Sequence, residues 1–302
     1  MTDAHGGVWR WQIGAVEVTA VLESADAFSS DFLKRVLLPD ATAENVASMP
    51  WLVPHWADAA GNLAFVTQAF VVRSEGLTII VDTCLGNDKE RRNPRLHMLK
   101  TPFLERLALA GVKVDDVDIV LCTHLHLDHV GWNTRWDGTA WVPTFPRARY
   151  LFARAEWDHW KSNDHHAFVI ADSIQPVIDA GLVDLVAMDH RLTSEVALLP
   201  TPGHTPGHVA VVIRSGGAEA LITGDLLHHP AQVGRPDWTS PADTDRTAAH
   251  ATRVAVLGDA CSRRVLVLGT HFAPPAAGHV VAASSGTWTF NGVPGEVPTE
   301  SG

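Results

Sequence analysis

The chain has 302 residues, 46% of them hydrophobic, enough for one large or two ordinary folded units with a substantial core. Lys and Arg total 23 against 34 Asp and Glu; the resulting −11 argues against a nucleic-acid partner, which needs clustered cations to displace counterions. Seventeen histidines stand beside a single tyrosine, which directs attention to metal chemistry.

The three cysteines, Cys84, Cys122 and Cys261, form no CxxC spacing. They suit neither a disulfide framework nor a thiolate zinc site, and reduced thiols in a cytoplasmic protein are the expectation. The opening MTDAHGGVWRWQIG has no basic region followed by an apolar one, so no signal peptide is expected. No apolar run approaches the roughly 18 residues that span a bilayer, so no membrane partner is expected either.

In chain order, Trp9–Ile13 and Val16–Leu22 alternate apolar and polar residues around Gly14-Ala15, predicting a hairpin. Amphipathic stretches at Phe28–Leu38 and Ala43–Ala47 precede a segment rich in Pro and Trp. Strands follow at about Ala64–Arg73 and Leu77–Val81. Thr101-Pro102 opens a helix that Gly111 stops. Asp118–Cys122 is nearly all apolar, as a strand buried on both faces should be. Arg149–Phe152 reads as a strand, Ala153–Lys161 as a helix and 165–180 as helical. Further strands are expected at Val183–Val186, Val196–Leu199, His208–Arg214, Ala218–Thr223 and Val265–Leu268, with a helix at Thr247–Asp259. Residues 280–302 read as a loosely patterned tail. The pattern predicts one α/β domain, 1–302, of two layered halves.

The densest chemistry is Thr123-His124-Leu125-His126-Leu127-Asp128-His129, directly after a buried strand. On extended backbone His124 and His126 share a face while Leu125 and Leu127 pack behind them. A turn at Leu127-Asp128 brings Asp128 and His129 toward a second point, so the motif suits two neighbouring metals better than one. Imidazole and carboxylate donors without thiolate fit Zn, Fe or Mn. A lone HxH would read as hydrogen-bonded core histidines, but three later segments repeat the scheme of apolar strand then donor. His204 follows Val196–Leu199 in TPGHTPGH, Asp225 follows Leu221-Ile222-Thr223-Gly224, and His271 follows Leu266–Thr270.

THLHLDHVG, TPGHTPGH, TGDLLHH and GTHF, in this order and spacing over about residues 64–280, resemble the metal motifs of the metallo-β-lactamase superfamily. The resemblance implies an αββα sandwich with a dinuclear site at one edge of its sheets. His124, His126 and His204 would hold one divalent ion and Asp128, His129 and His271 the other, with Asp225 and a water or hydroxide bridging. Zinc is expected first, with Fe, Mn or Co admitted. Asp82, in Ile79-Ile80-Val81-Asp82-Thr83, matches a supporting position, although Cys84 departs from the Gly usual after that Asp-Thr. Residues 23–62 are expected to form a substrate-side or dimer-side insertion, which leaves a homodimer open.

Such a centre implies hydrolysis of a small-molecule substrate, with Asp128 orienting the nucleophile and carrying its proton to the leaving group. The zinc β-lactamases of this fold generally lack an Asp at the Asp225 position, and flavin-linked di-iron relatives usually carry Glu where His126 stands. DFLKRVLLPDAT, HVGWNTR, PRARYLFARAEWDHW and GDLLHHPAQV look most like the lactonase and organophosphate-hydrolase branch, including quorum-quenching acyl-homoserine lactonases. The reading is therefore a lactone- or neutral-ester-opening enzyme; phosphotriester hydrolysis and a glyoxalase II-like thioesterase activity are the alternatives. In acyl-homoserine lactonases a Tyr three residues after the bridging Asp assists the substrate carbonyl; here that position is His228, a candidate catalytic residue. Trp51, His55 and Trp132 are the candidate walls of the substrate pocket.

Overall fold

Period-two alternation decides the layering. In Thr67–Ser74 and Leu77–Val81, Phe70, Val72, Ile79 and Val81 enter one core while Ala69, Val71 and Ile80 enter another. A sheet so patterned must be covered on both faces.

The structure, a computed structural model, describes residues 6–25, 30–284 and 286–297. The strands are β1 (Val8–Ile13), β2 (Val16–Ser24), β3 (Thr67–Ser74), β4 (Leu77–Val81) and β5 (Ile119–Leu121). They continue with β6 (Thr134–Trp136), β7 (Trp141–Pro143), β8 (Arg149–Ala153), β9 (Val183–Val186) and β10 (Val196–Pro200). The last are β11 (Val209–Ser215), β12 (Ala218–Ile222), β13 (Leu266–Leu268), β14 (Ala277–Ala282) and β15 (Trp288–Val293). Among the described residues one sheet runs β1-β2-β3-β4-β5-β8-β9, a second runs β10 to β15 in order, and β6-β7 is a separate ribbon.

The sheets face each other across a shared core that includes Val18, Phe70 and Val81 from the first and Val211, Ile222 and Leu268 from the second. Phe103 and Leu107, from the helix Phe103–Leu109, and Ile174 and Val177, from helical turns at 170–179, cover the outer face of the first sheet. The helix Arg246–Arg263 covers the second, with Leu257 and Ala260 packed inward. The result is an αββα sandwich. The Asp245 side chain caps that helix by accepting the Ala248 N–H (2.9 Å), and Arg264 ends it in the left-handed region at φ 56°. Arg253 in its middle is buried and donates to the Leu226 (2.9 Å) and Trp238 (3.1 Å) carbonyls, tying the helix to the segment after β12.

β4 and β5 are parallel neighbours, as are β12 and β13. Parallel pairing puts the residues that follow each strand at one end of the sheet, so the segments after β4, β5, β12 and β13 share an edge of the sandwich.

One expectation is corrected. The stretch expected as a loose tail, 280–302, is a hairpin over much of its described part, Val280–Ala282 pairing with Trp288–Phe290 in β14–β15 to complete the second sheet, while residues 285 and 298–302 lie outside the described residues. Alternation there is short, with Val281 and Ala282 exposed beside buried Val280, so periodicity alone is weak. The β6–β7 ribbon was also unanticipated. In Phe28–Leu38, Phe28 and Ser29 lie outside the described residues, and helical turns run from Ser30 to Leu37.

One buried carboxylate joins the sheet to a segment beside the edge. Glu23, on β2, accepts from Leu85 N (2.8 Å), Gly86 N (3.0 Å) and Trp132 Nε1 (2.7 Å). Burial outweighs these donors and raises its pKa from 4.5 to about 7. A carboxyl whose pKa is higher folded than unfolded contributes stability below the unfolded value and loses it as pH rises through the folded one. We expect denaturant unfolding of wild type and Glu23→Gln to show the wild type losing about 3 kcal/mol relative to the variant between pH 4.5 and pH 8. An unchanged difference across that window contradicts this coupling.

Candidate metal centre

Asp225 is the focus of the edge. It follows β12 on a tight turn at Gly224, whose φ is +51° and whose Cα leaves no room for a side chain against His208 and Thr123. Its backbone N–H donates to His208 Nε2 (2.9 Å), which orients the carboxylate toward five imidazoles. Asp225 Oδ1 lies 3.0 Å from His271 Nε2 and 3.2 Å from His129 Nε2. Oδ2 lies 3.2 Å from His204 Nε2, 3.3 Å from His228 Nε2 and 3.6 Å from His124 Nε2.

The outer nitrogens of His124, His129, His204 and His271 are held from behind. His129 Nδ1 lies 2.9 Å from Asp82 Oδ2, His204 Nδ1 2.9 Å from Asp243 Oδ1, and His271 Nδ1 2.9 Å from the Val66 carbonyl. His124 Nδ1 lies 3.2 Å from Thr123 Oγ1, whose hydroxyl and backbone N–H both donate to Asp82. On these four rings the outer N–H is thereby used and Nε2 faces inward, whereas His126 turns its Nδ1 inward. Asp82 itself sits at φ 60°, in the left-handed region that a β-strand residue avoids, and this backbone turn aims its carboxylate across to the β5 segment.

Among the described residues three groups of donor atoms result, each within 4.8 Å: His124, His126, His204 and Asp225; Asp128, His129 and His271; and His204, His228 and Asp243. Inward nitrogens face one another, His126 Nδ1 lying 3.0 Å from His124 Nε2 and 2.9 Å from His204 Nε2, and His129 Nε2 lying 3.3 Å from His271 Nε2. Rings whose outer N–H is already used face one another with lone pairs, and a proton or a cation among them relieves that repulsion. Asp225 Oδ1 is buried with no hydrogen-bond partner. The local charge balance says the same: despite burial, His129, His271 and His228 hold Asp225 well below the usual carboxylate range. Burial opposes a charge on His204, yet Asp225 and Asp243 raise its pKa to about 9. The cluster requires positive charge, and its nitrogen and carboxylate donors fit divalent metal ions.

A further set of buried groups joins the donor segments and is not evident from motif spacing. Glu156 accepts from Leu125 N (3.1 Å), Gly207 N (3.1 Å) and Trp160 Nε1 (2.6 Å), linking the segments that carry His126 and His204. A Cβ at Gly207 would overlap the Glu156 backbone, so this approach requires glycine. Burial lowers the His208 pKa to about 3, keeping it neutral and able to accept from Asp225. Asp243 signals itself in the sequence only as one of several Asp residues in a polar loop.

The cavity over the donors, of about 340 Å³, is mostly apolar, with Phe32, Leu37, Phe65, Leu96 and Leu127 among its lining. His228, Asp128 and His166 also reach it. Neither ring nitrogen of the buried His228 makes a hydrogen bond, and burial lowers its pKa. The three expected wall residues lie elsewhere. Trp51 and His55 line a different cavity with Trp9, Trp11 and Trp56, because the Pro-rich segment turns toward β15. Trp132 is in the outer core, stacked on Phe103 at 5.6 Å with its N–H spent on Glu23. Cys84 is likewise a buried thiol in that core, its pKa raised by burial.

Asp82→Asn would place an amide against the His129 N–H or against Thr123. We expect metal affinity, read by competition with a chromophoric chelator, to fall about 10- to 100-fold with the fold retained by circular dichroism. Unaltered affinity would remove Asp82 from the support of the centre.

Comparison with known proteins agrees with this geometry. Residues 63–268 match the family described as the metallo-beta-lactamase superfamily. Probable metallo-hydrolase Rv2300c of Mycobacterium tuberculosis is 26% identical over 192 residues, covering 56% of this chain and 59% of that protein, so the chain spans less than two thirds of that relative. N-acyl homoserine lactonase AiiB of Agrobacterium fabrum is 25% identical over 260 residues, covering 75% of this chain and 87% of its own. Among solved structures, hydrolase AbOPH superimposes with a TM-score of 0.78 at 23% identity, covering 96% of this chain and 98% of that one. AidC, a dizinc quorum-quenching lactonase, superimposes at 0.77 with 20% identity, covering 98% and 100%. These two share the fold. Among the described residues no helix is long and apolar enough to cross a membrane. With more than half its length matching the family and its donors gathered at one sandwich edge, the chain belongs to the metallo-β-lactamase superfamily.

Proposed function

We propose that this chain works as one metallo-hydrolase domain that opens lactones of the acyl-homoserine kind, or related neutral esters, with two divalent metal ions. The observation that carries the reading is the convergence of five imidazoles, those of His124, His126, His129, His204 and His271, and of Asp128 around Asp225, beneath an apolar cavity. His124, His126 and His204 would hold one ion, Asp128, His129 and His271 the other, and Asp225 both. Nitrogen and carboxylate donors favour zinc, with iron, manganese or cobalt as substitutes. When bound, the ions supply a water acidic enough to ionise near neutral pH and a Lewis acid for the carbonyl.

The chain's own residues do the rest. Asp128 stands at the cavity edge, its Oδ2 3.8 Å from His271 Nε2, where it can take a proton and return it to the leaving alkoxide. His228, with no hydrogen-bond partner on its ring, can donate to the oxygen on which charge develops, the task of the Tyr in related lactonases. Phe32, Leu37 and Phe65 exclude water and hold the apolar part of a substrate. Sequence relatives named N-acyl homoserine lactonase, from Bacillus as well as Agrobacterium, support the lactone over other esters.

Metal-loaded protein assayed on parallel lactone, ester, thioester and phosphotriester panels is expected to turn over lactones, to lose activity on chelation and to regain it with zinc. Inert lactones beside rapid aryl phosphotriester or glutathione thioester turnover would overturn the lactone assignment. His228→Phe is expected to lower kcat about 100-fold with metal content unchanged, and His228→Gln to retain part of it. An unaltered kcat in His228→Phe would assign the donor role elsewhere.

A further inference from the structure

Two histidines stand side by side after β12, and the fold gives them opposite surroundings. Both are buried. Neither ring nitrogen of His228 makes a hydrogen bond, whereas both nitrogens of His229 do. His229 Nε2 donates to the Trp56 carbonyl (2.8 Å), so its Nδ1 is the acceptor that takes the Ala231 N–H (3.0 Å). Burial pushes the His229 pKa down to about 4 and keeps the ring neutral, as the second bond requires.

Gln232, also buried, uses both ends of its amide. Oε1 accepts the His228 backbone N–H (2.7 Å), and Nε2 donates to the Trp238 carbonyl (2.7 Å). Arg253 donates to that same carbonyl (3.1 Å), and the Gln232 N–H returns to the His229 carbonyl (3.0 Å). Residues 228–232 are therefore closed on themselves and fastened at two outside points, Trp56 and Trp238. Trp56 is fixed in turn, its Nε1 donating to the Ala273 carbonyl (2.9 Å) just past His271.

The His228 ring reaches the metal cavity beside Asp225, with its centre 4.9 Å from that of His204. A side chain with no bond at its tip takes its aim from its backbone and its packing. What holds residue 228 therefore sets the angle at which this imidazole enters the cavity. We infer that Gln232 and His229 are positioning residues that clamp His228 so that its ring points at the oxygen on which charge develops. This rests on the role proposed for His228 in hydrolysis, whereas the clamp itself can be read without turnover.

A double-mutant cycle on the metal-loaded protein tests it. Gln232→Met removes both amide bonds at a similar volume. In the wild-type background it is expected to lower kcat about tenfold with KM and metal content unchanged, because a slightly misplaced catalytic group is costly. In the His228→Phe background the same change is expected to alter kcat less than about twofold, since the group it misplaces is gone. Gln232→Glu, which when protonated offers an accepting oxygen and a donating hydroxyl in the same places, is expected to recover most of the loss. An equal loss in both backgrounds makes Gln232 a general structural residue and overturns the inference, as does an unchanged kcat in the wild-type background. If Gln232→Met does not fold, His229→Gln runs the same cycle under the same criteria. Nitrogen-15 spectra of the histidine rings supply a second readout: His228 is expected to give one sharp set of signals in wild type and broadened or split signals in the folded variant. Unchanged His228 signals there overturn the clamp. If metal-loaded wild type turns over no lactone, ester, thioester or phosphotriester, the hydrolase reading fails and these spectra alone decide the clamp.

Discussion

The structure turns on one buried carboxylate. Asp225 is nearly inaccessible to solvent, and its Oδ1 has no hydrogen-bond partner. An anion so placed costs several kcal/mol unless positive charge is supplied nearby. Every imidazole within reach directs a nitrogen at it, and the rings crowd one another as a result. Two outcomes satisfy that electrostatic demand: protons on histidines such as His129 and His204, or cations among the donors. The second also relieves the facing ring nitrogens, which is why the arrangement fits metal ions so well.

Holding repelling groups in place requires rigid support, and the sandwich provides it with buried polar groups as well as hydrocarbon. Asp82 joins the segments after β4 and β5; Glu156 joins the β5 segment to the one after β10; His208 holds the backbone of Asp225. Each of these groups ties together segments that are separate in the chain, so the donors cannot drift independently. Arg253 extends the same logic to the long helix, whose position depends on the carbonyls of Leu226 and Trp238. Stability and site geometry are thus coupled through shared hydrogen bonds.

The apolar cavity above the centre has a different origin. Its walls come from segments far apart in sequence: Phe32 and Leu37 precede β3, Phe65 leads into it, Leu96 sits on a turn before the helix Phe103–Leu109, and Leu127 lies within the HLHLDH motif. None is distinctive by residue type. Tryptophan, the more conspicuous residue, went elsewhere: Trp132 is consumed by Glu23 and Phe103, and Trp51 packs near Trp56 and the β15 hairpin. Aromatic abundance near a motif is weak evidence for a wall, since large rings serve cores equally well.

The sequence by itself determined the sandwich class and marked the His and Asp residues that the fold brings to one edge. Those features are local: a buried strand of three to five apolar residues followed by His or Asp, and alternation that assigns each strand two faces. It also determined most strands and the long helix to within a few residues, because period and capping are encoded within a short window. Only the tertiary structure decided which nitrogen of each ring turns inward, that Glu156, Asp243 and His208 support the donors, and which side chains wall the cavity. It likewise turned an apparent tail into the hairpin β14–β15. These outcomes depend on contacts between residues tens to hundreds of positions apart, as between Val66 and His271 or Trp132 and Glu23. A short-range pattern carries no information about them, because they exist only after the two sheets have packed.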